Sequence, residues 1–192
     1  MTPMPTTDVE AFVPAAIQFN DVEDVIAFLD ALGASPMIEP GLVELDHALQ
    51  CAAELKALRP DDEELQVAGL VHDIAHGRCH IRDHDRVGAE ALRPIFGDRV
   101  ANLVALHVEA KRYLVVADDG YRARLSPVSI KTMELQGGAM NTAEIAAFEA
   151  KPNAQDACLL RMADEAAKLA GRDVPGLNAW IDTLRHVASS RS

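Results

Sequence analysis

No stretch of this chain alternates apolar and polar residues long enough to build a strand. Apolar residues recur three and four apart instead, in segments closed by glycine or proline, and that period commits the chain to helices that each bury one face. Asn20 caps a predicted helix from about Asp21 to Leu32, with Val22, Val25, Ile26 and Leu29 as its stripe. A second spans about Leu42 to Leu58 and ends at Pro60; a third opens in Asp61-Asp62-Glu63-Glu64, where carboxylates suit the positive end of the helix dipole. A fourth starts near His84 and closes at Gly97, and a fifth opens at Asp98. Ser126-Pro127 predicts a helix that runs to about Gln136 and stops at Gly137-Gly138; Asn141 with Glu144 resembles a capping pair. A long helix from Ala154 to Leu169 ends at Gly171, and Pro175 starts the last. The fold class read from this pattern is all-α, a single helical bundle over residues 21–192, behind an N-terminal arm, residues 1–20, that carries Pro3, Pro5 and Pro14.

Length and charge narrow the function. A chain of 192 residues buries one full core. Its net charge of −12 argues against broad binding to nucleic acid or to an anionic membrane, so a phosphate-bearing ligand has to be held by a few local cations or metals. Cys51, Cys79 and Cys158 form no Cys-x-x-Cys pair, which leaves no disulfide framework or structural zinc site and fits a reducing cytoplasm. No basic leader and no membrane-length apolar run is visible, so the expectation is a soluble, cytoplasmic protein.

The densest polar cluster is Leu70-Val71-His72-Asp73-Ile74-Ala75-His76-Gly77-Arg78-Cys79-His80. If helical, it sets His72 and His76 on one face, and the two oxygens of Asp73 allow it to bridge two metals. An ordinary helix C-terminus, with histidine for the dipole and Gly77 as cap, accounts for the same residues. His47, His72, Asp73, His84, His107 and Asp164 come from five predicted helices that are otherwise apolar. Nitrogen and oxygen ligands without thiolate suit two hard or borderline ions.

The order His47, His72-Asp73, Asp164 resembles the H…HD…D signature of the HD-domain superfamily over about residues 42–170, and His84 with His107 match its dinuclear branch. The resemblance implies an HD-domain bundle with one metal held by His47, His72, Asp73 and Asp164 and another by Asp73, His84 and His107. Most of that superfamily hydrolyse phosphate esters. Three segments instead look like those of its mixed-valent diiron oxygenases that cleave 1-hydroxyphosphonates: Leu45-Asp46-His47-Ala48-Leu49-Gln50, His107-Val108-Glu109-Ala110-Lys111-Arg112-Tyr113-Leu114, and Leu125-Ser126-Pro127 with Ser129 followed by Leu135-Gln136-Gly137-Gly138-Ala139-Met140.

That likeness implies two irons, Fe(II)/Fe(III), and O2-dependent cleavage of a C–P bond to a carboxylate and phosphate. Asp73, His76 and Lys111 would act at the reacting centre. Lys111 and Arg161 would supply charge-assisted donors to the phosphonate, and Ser129, Gln136 and His76 further hydrogen bonds. The partners expected are a small phosphonate and O2, in a monomer or small homo-oligomer. A Tyr-x-Gly-Glu lid found in some of these oxygenases is replaced here by Met37-Ile38-Glu39-Pro40. The missing tyrosine and shifted acid point to a quaternary trimethylammonium at C2 as first choice, which would accept an apolar or aromatic wall; a glycine-forming amine is the other C2 group considered. The alternative activity is metal-dependent hydrolysis of a small phosphate ester or nucleotide.

Overall fold

The computed structural model describes residues 17–37 and 39–190; residues 1–16, most of the expected arm, and Ile38 lie outside it. Among the described residues the fold is all-α. Its α-helices are α1 (Val22–Ala31), α2 (Glu44–Leu58), α3 (Glu63–Val71), α4 (His84–Ala117), α5 (Tyr121–Arg124), α6 (Pro127–Leu135), α7 (Thr142–Glu149), α8 (Ala154–Ala166) and α9 (Ile181–Ser190). The one extended pairing among them is an isolated bridge between Pro36 and Val43.

Helices α2, α3, α4 and α8 pack against one another, and α1 and α9 cover one end. The core between them includes Cys51, Leu55, Leu65, Leu92, Phe96, Leu103, Val104 and Leu160. Gly69 brings α2 and α3 together: a Cβ there would collide with Leu55 Cδ1 and stand 3.3 Å from Cys51 Sγ. At Gly97 the backbone of α4 takes φ 82° and ψ −176°, a region open only to glycine, so α4 is two arms joined at the residue where the sequence ends one helix. One arm carries His84, the other His107.

Local signals hold where local chemistry sets them. Ser126 accepts from the Ser129 N–H with Pro127 at the first position, and Asn141 and Glu144 form both halves of a capping box. In α1 the cap is Asp21, which accepts from the Asp24 N–H at 3.0 Å; Asn20 instead donates its amide to the Asp24 carboxylate. Phe19 is buried and meets Phe28 edge-on, so the end of the expected arm belongs to the bundle.

Three helix boundaries differ from expectation. α3 stops at Val71, and residues after it form turns closed three residues apart, Ile74 N to Val71 O at 3.1 Å and His76 N to Asp73 O at 2.7 Å. There His72 Nδ1 donates at 2.8 Å to the Gly69 carbonyl, the acceptor a continuing helix would offer the Asp73 N–H. His72 and His76 therefore do not share a helical face. α8 ends at Ala166, short of Leu169, because the side-chain amide of Gln50 exchanges hydrogen bonds with the Leu169 N–H and carbonyl while Ala167 O accepts from His47. The last helix begins at Ile181, after a 3-10 turn over Leu177–Ala179, rather than at Pro175.

Candidate metal centre

The six expected ligands arrive from α2 (His47), the turn after α3 (His72, Asp73), the two arms of α4 (His84, His107) and α8 (Asp164). All four histidines are buried. Asp73 stands between two groups. Its Oδ2 is 3.4 Å from His72 Nε2 and 3.8 Å from His47 Nε2, whereas its Oδ1 is 3.3 Å from His84 Nε2 and 3.6 Å from His107 Nε2. Asp164 Oδ1 joins the first group, 3.3 Å from His47 Nε2. In each group of Asp73 with two histidines, the potential ligand atoms lie within 4.8 Å of one another.

The tautomers show what these atoms are arranged to hold. Every ring turns Nδ1 to a backbone carbonyl: His47 to Ala167 at 3.0 Å, His72 to Gly69 at 2.8 Å, His84 to Ile81 at 2.8 Å and His107 to Val104 at 2.7 Å. A carbonyl only accepts, so Nδ1 carries the proton and Nε2 presents a lone pair. Yet Nε2 atoms face each other at 3.3 Å in His47–His72 and at 3.1 Å in His84–His107. A cation beside each pair turns that repulsion into ligation; two nitrogens at right angles and about 2.1 Å from one ion sit about 3 Å apart. The residues fit a metal centre.

Charge agrees with that reading. Burial alone would raise the Asp73 carboxyl, but the imidazoles of His72, His76 and His84 hold it well below the usual range. Burial of Asp164 is likewise outweighed, by Arg161 and Lys168. Burial pushes His72 down and, with His84 beside it, His107 well down. His47 is pushed down by burial but raised overall by Asp164 and Asp73, which favour positive charge at that Nε2.

The centre opens into a small cavity of about 50 Å³, lined by five of the six ligands, with His72 behind them, and by His76, Lys111, Ser129, Gln136 and Arg161. Every expected substrate contact thus faces the same space. Lys111 is buried with Thr132 Oγ1 as its partner at 3.1 Å, and burial together with Arg161 lowers its pKa to about 7. Arg161 Nη1 lies 2.5 Å from Asp164 Oδ2 without hydrogen-bond alignment, and its Nη2 donates to Glu165 at 2.7 Å. Gln136 donates Nε2–H to Ile81 O at 3.0 Å. His76 Nδ1 pairs with Glu44 at 3.2 Å; burial opposes its protonation, but Asp73 and Glu44 raise its pKa to about 9.

Two of the sequence motifs meet physically. Arg112, next to Lys111, donates Nε–H to Gly138 O at 2.8 Å and Nη2–H to Glu144 at 2.6 Å. Gly137, at φ 112°, lies so close that a Cβ would stand 3.2 Å from the guanidinium carbon. The Gln-Gly-Gly turn is more than a helix stop: it is fastened to α4, and Gln136 with it.

Four cavity-side residues escaped the sequence reading: Glu44, Thr132, Glu165 and Lys168. The signal for two of them was present, because Arg161, Asp164, Glu165 and Lys168 are spaced at i, i+3, i+4 and i+7 and share one helical face.

The HD domain family model matches residues 45–167, well over half of the chain. The chain belongs to the HD-domain family. A hydroxymethylphosphonate dioxygenase of Gimesia maris is 39% identical to it over 153 residues, 74% of this chain and 76% of that protein. A glycine-betaine-forming [1-hydroxy-2-(trimethylamino)ethyl]phosphonate dioxygenase of Leisingera caerulea is 34% identical over 166 residues, 81% of this chain and 84% of that protein. Both relatives of this HD domain are phosphonate dioxygenases, which bears out the oxygenase branch that the three sequence segments resemble. No helix among the described residues is long and apolar enough to cross a membrane.

Proposed function

We propose that this HD domain uses O2 and two irons, Fe(II)/Fe(III), to cleave the C–P bond of a small 1-hydroxyphosphonate into a carboxylate and phosphate. The observation that carries the reading is one cavity in which a two-sided ligand set faces buried Lys111 and Arg161. One iron is assigned to His47, His72, Asp73 and Asp164 and the other to Asp73, His84 and His107. The irons supply O2 activation and redox chemistry that no side chain here provides.

The chain's own residues bind, orient and shield. Lys111 and Arg161 neutralise the phosphonate, Gln136 has a second amide hydrogen to offer it, and His76 as an imidazolium is a further donor. Their burial leaves little water to screen these charges or to intercept reactive oxygen species.

Among C1 substituents, hydrogen fits best, making hydroxymethylphosphonate the first candidate. The described lining offers Met37, Ile81 and Val128 beside the imidazoles, but no phenylalanine, tyrosine or tryptophan ring for a quaternary ammonium. The trimethylammonio substrate is the second reading, favoured by Glu39, whose carboxylate also lines the cavity.

The test is phosphate release from both phosphonates by iron-loaded protein, in air and under anaerobic conditions. Release only in air, faster with hydroxymethylphosphonate, is expected. Release without oxygen rejects the oxygenase in favour of a hydrolase, and faster turnover of the trimethylammonio compound reverses the choice of substrate.

A further inference from the structure

We infer that Lys168 is a direct contact for the anionic end of the substrate, and that Glu165 is the positioning residue that holds Lys168, Arg161 and Ser129 in the cavity wall. The inference deepens the phosphonate reading above and rests on it.

Glu165 gathers four donors. Its carboxylate receives the Ser126 N–H at 2.6 Å, Ser129 Oγ at 2.9 Å, Arg161 Nη2 at 2.7 Å and Lys168 Nζ at 2.7 Å, the last three on the same oxygen. Its side chain is only 9% exposed, and that of Lys168 14%, so this is no solvated surface pair. A charged hub with both cations in place fixes the end of α6 against α8.

Donor arithmetic then separates Ser129 from Lys168. The single hydroxyl proton of Ser129 points at Glu165, while its oxygen accepts from Lys168 at 2.6 Å and from Arg161 at 3.3 Å. In this arrangement Ser129 has no proton to offer a phosphonate oxygen. Lys168 has three N–H groups, gives two to Ser129 and Glu165, lines the cavity and keeps one.

Charge points the same way. Lys111, Arg161 and Lys168 all line the cavity, whereas Glu165 does not. Asp164, 2.5 Å from Arg161 Nη1 and 3.7 Å from Lys168 Nζ, and Glu39 offset part of this charge, and the three cations still converge on the space where a phosphonate would sit. The backbone supports the placement: Lys168 lies just beyond α8, where Ala167 O holds His47 and Leu169 is clasped by Gln50, so its position is tied to the ligand helix α2.

The experiment measures binding of inorganic phosphate and of methylphosphonate to iron-loaded protein by calorimetry, alongside KM, kcat and iron content, for wild type, Lys168→Met, Lys168→Gln, Lys168→Arg, Glu165→Gln and Glu165→Asp. Lys168→Met and Lys168→Gln are expected to weaken both anions at least tenfold and to raise KM in step, with kcat within threefold of wild type and iron content unchanged. Lys168→Arg recovers most of the loss. Glu165→Gln loses anion affinity similarly, and Glu165→Asp is intermediate. Wild-type anion affinity in both neutral Lys168 variants overturns the contact, and wild-type affinity in Glu165→Gln overturns the positioning role. Loss of anion binding in these variants, in a protein whose wild type releases no phosphate from hydroxyphosphonates, supports the inference while the activity reading falls.

Discussion

Replacing Lys111 with methionine should make the protein more stable while disabling it. Lys111 is 6% exposed, deep in a cavity with Arg161 nearby, and its pKa falls from 10.5 to about 7. A lowered lysine pKa means that the folded state binds its proton less tightly than the unfolded state. The penalty is therefore full below about pH 7 and vanishes as pH rises toward the unfolded value. At about 1.36 kcal/mol per factor of ten, it amounts to roughly 5 kcal/mol at pH 6 and roughly 1.5 kcal/mol at pH 9.5. Methionine keeps the length and apolar stem without the charge. Urea unfolding of wild type and Lys111→Met, at equal iron loading, should show the variant ahead by several kcal/mol at pH 6, with most of that lead gone at pH 9.5. The same variant should lose affinity for phosphonate, because the cation whose charge a dianion would stabilise has gone. A lead that is absent at pH 6, or that does not shrink with pH, refutes the placement of Lys111 as a buried cation.

Other perturbations follow from single contacts. Gly69→Ala forces Leu55 aside; overpacking of about 1–3 kcal/mol outweighs the roughly 1 kcal/mol that alanine gains in a helix, so thermal unfolding should show a net loss, and unchanged stability would contradict the close approach of α2 and α3. His84→Ala should lower the iron bound from two toward one per chain by elemental analysis, leaving the group around His47 and His72; loss of both would show that the two positions are not separable. Arg112→Met unfastens the Gly137–Gly138 turn and so shifts Gln136, which should raise KM several-fold at little cost in kcat, with about 1–3 kcal/mol lost in urea unfolding.

What was legible in the sequence was local. Ser126-Pro127, the Asn141–Glu144 box and the break at Gly97 are decided by a few neighbouring residues, and the structure has them where the pattern puts them. The end of α3 was not legible, because the turns after it set His72 and Asp73 against side chains of α2, α4 and α8, which no local pattern encodes. The end of α8 was hidden for the same reason: Gln50, more than a hundred residues earlier, takes the Leu169 backbone. The six expected ligands could be gathered because histidine and aspartate stand out on apolar helices. Lys168 and Glu165 were passed over although they share a predicted face with Arg161 and Asp164, since a lysine and a glutamate one turn apart look like ordinary solvated charge until their burial is seen.

The account turns on oxygen. Iron-loaded protein supplied with hydroxymethylphosphonate in a sealed oxygen-electrode cell, with phosphate measured in the same samples, should consume one O2 for each phosphate and each formate formed, and should stop when oxygen is exhausted. Phosphate that continues to appear after the oxygen is gone, or that exceeds the oxygen consumed, would contradict the account.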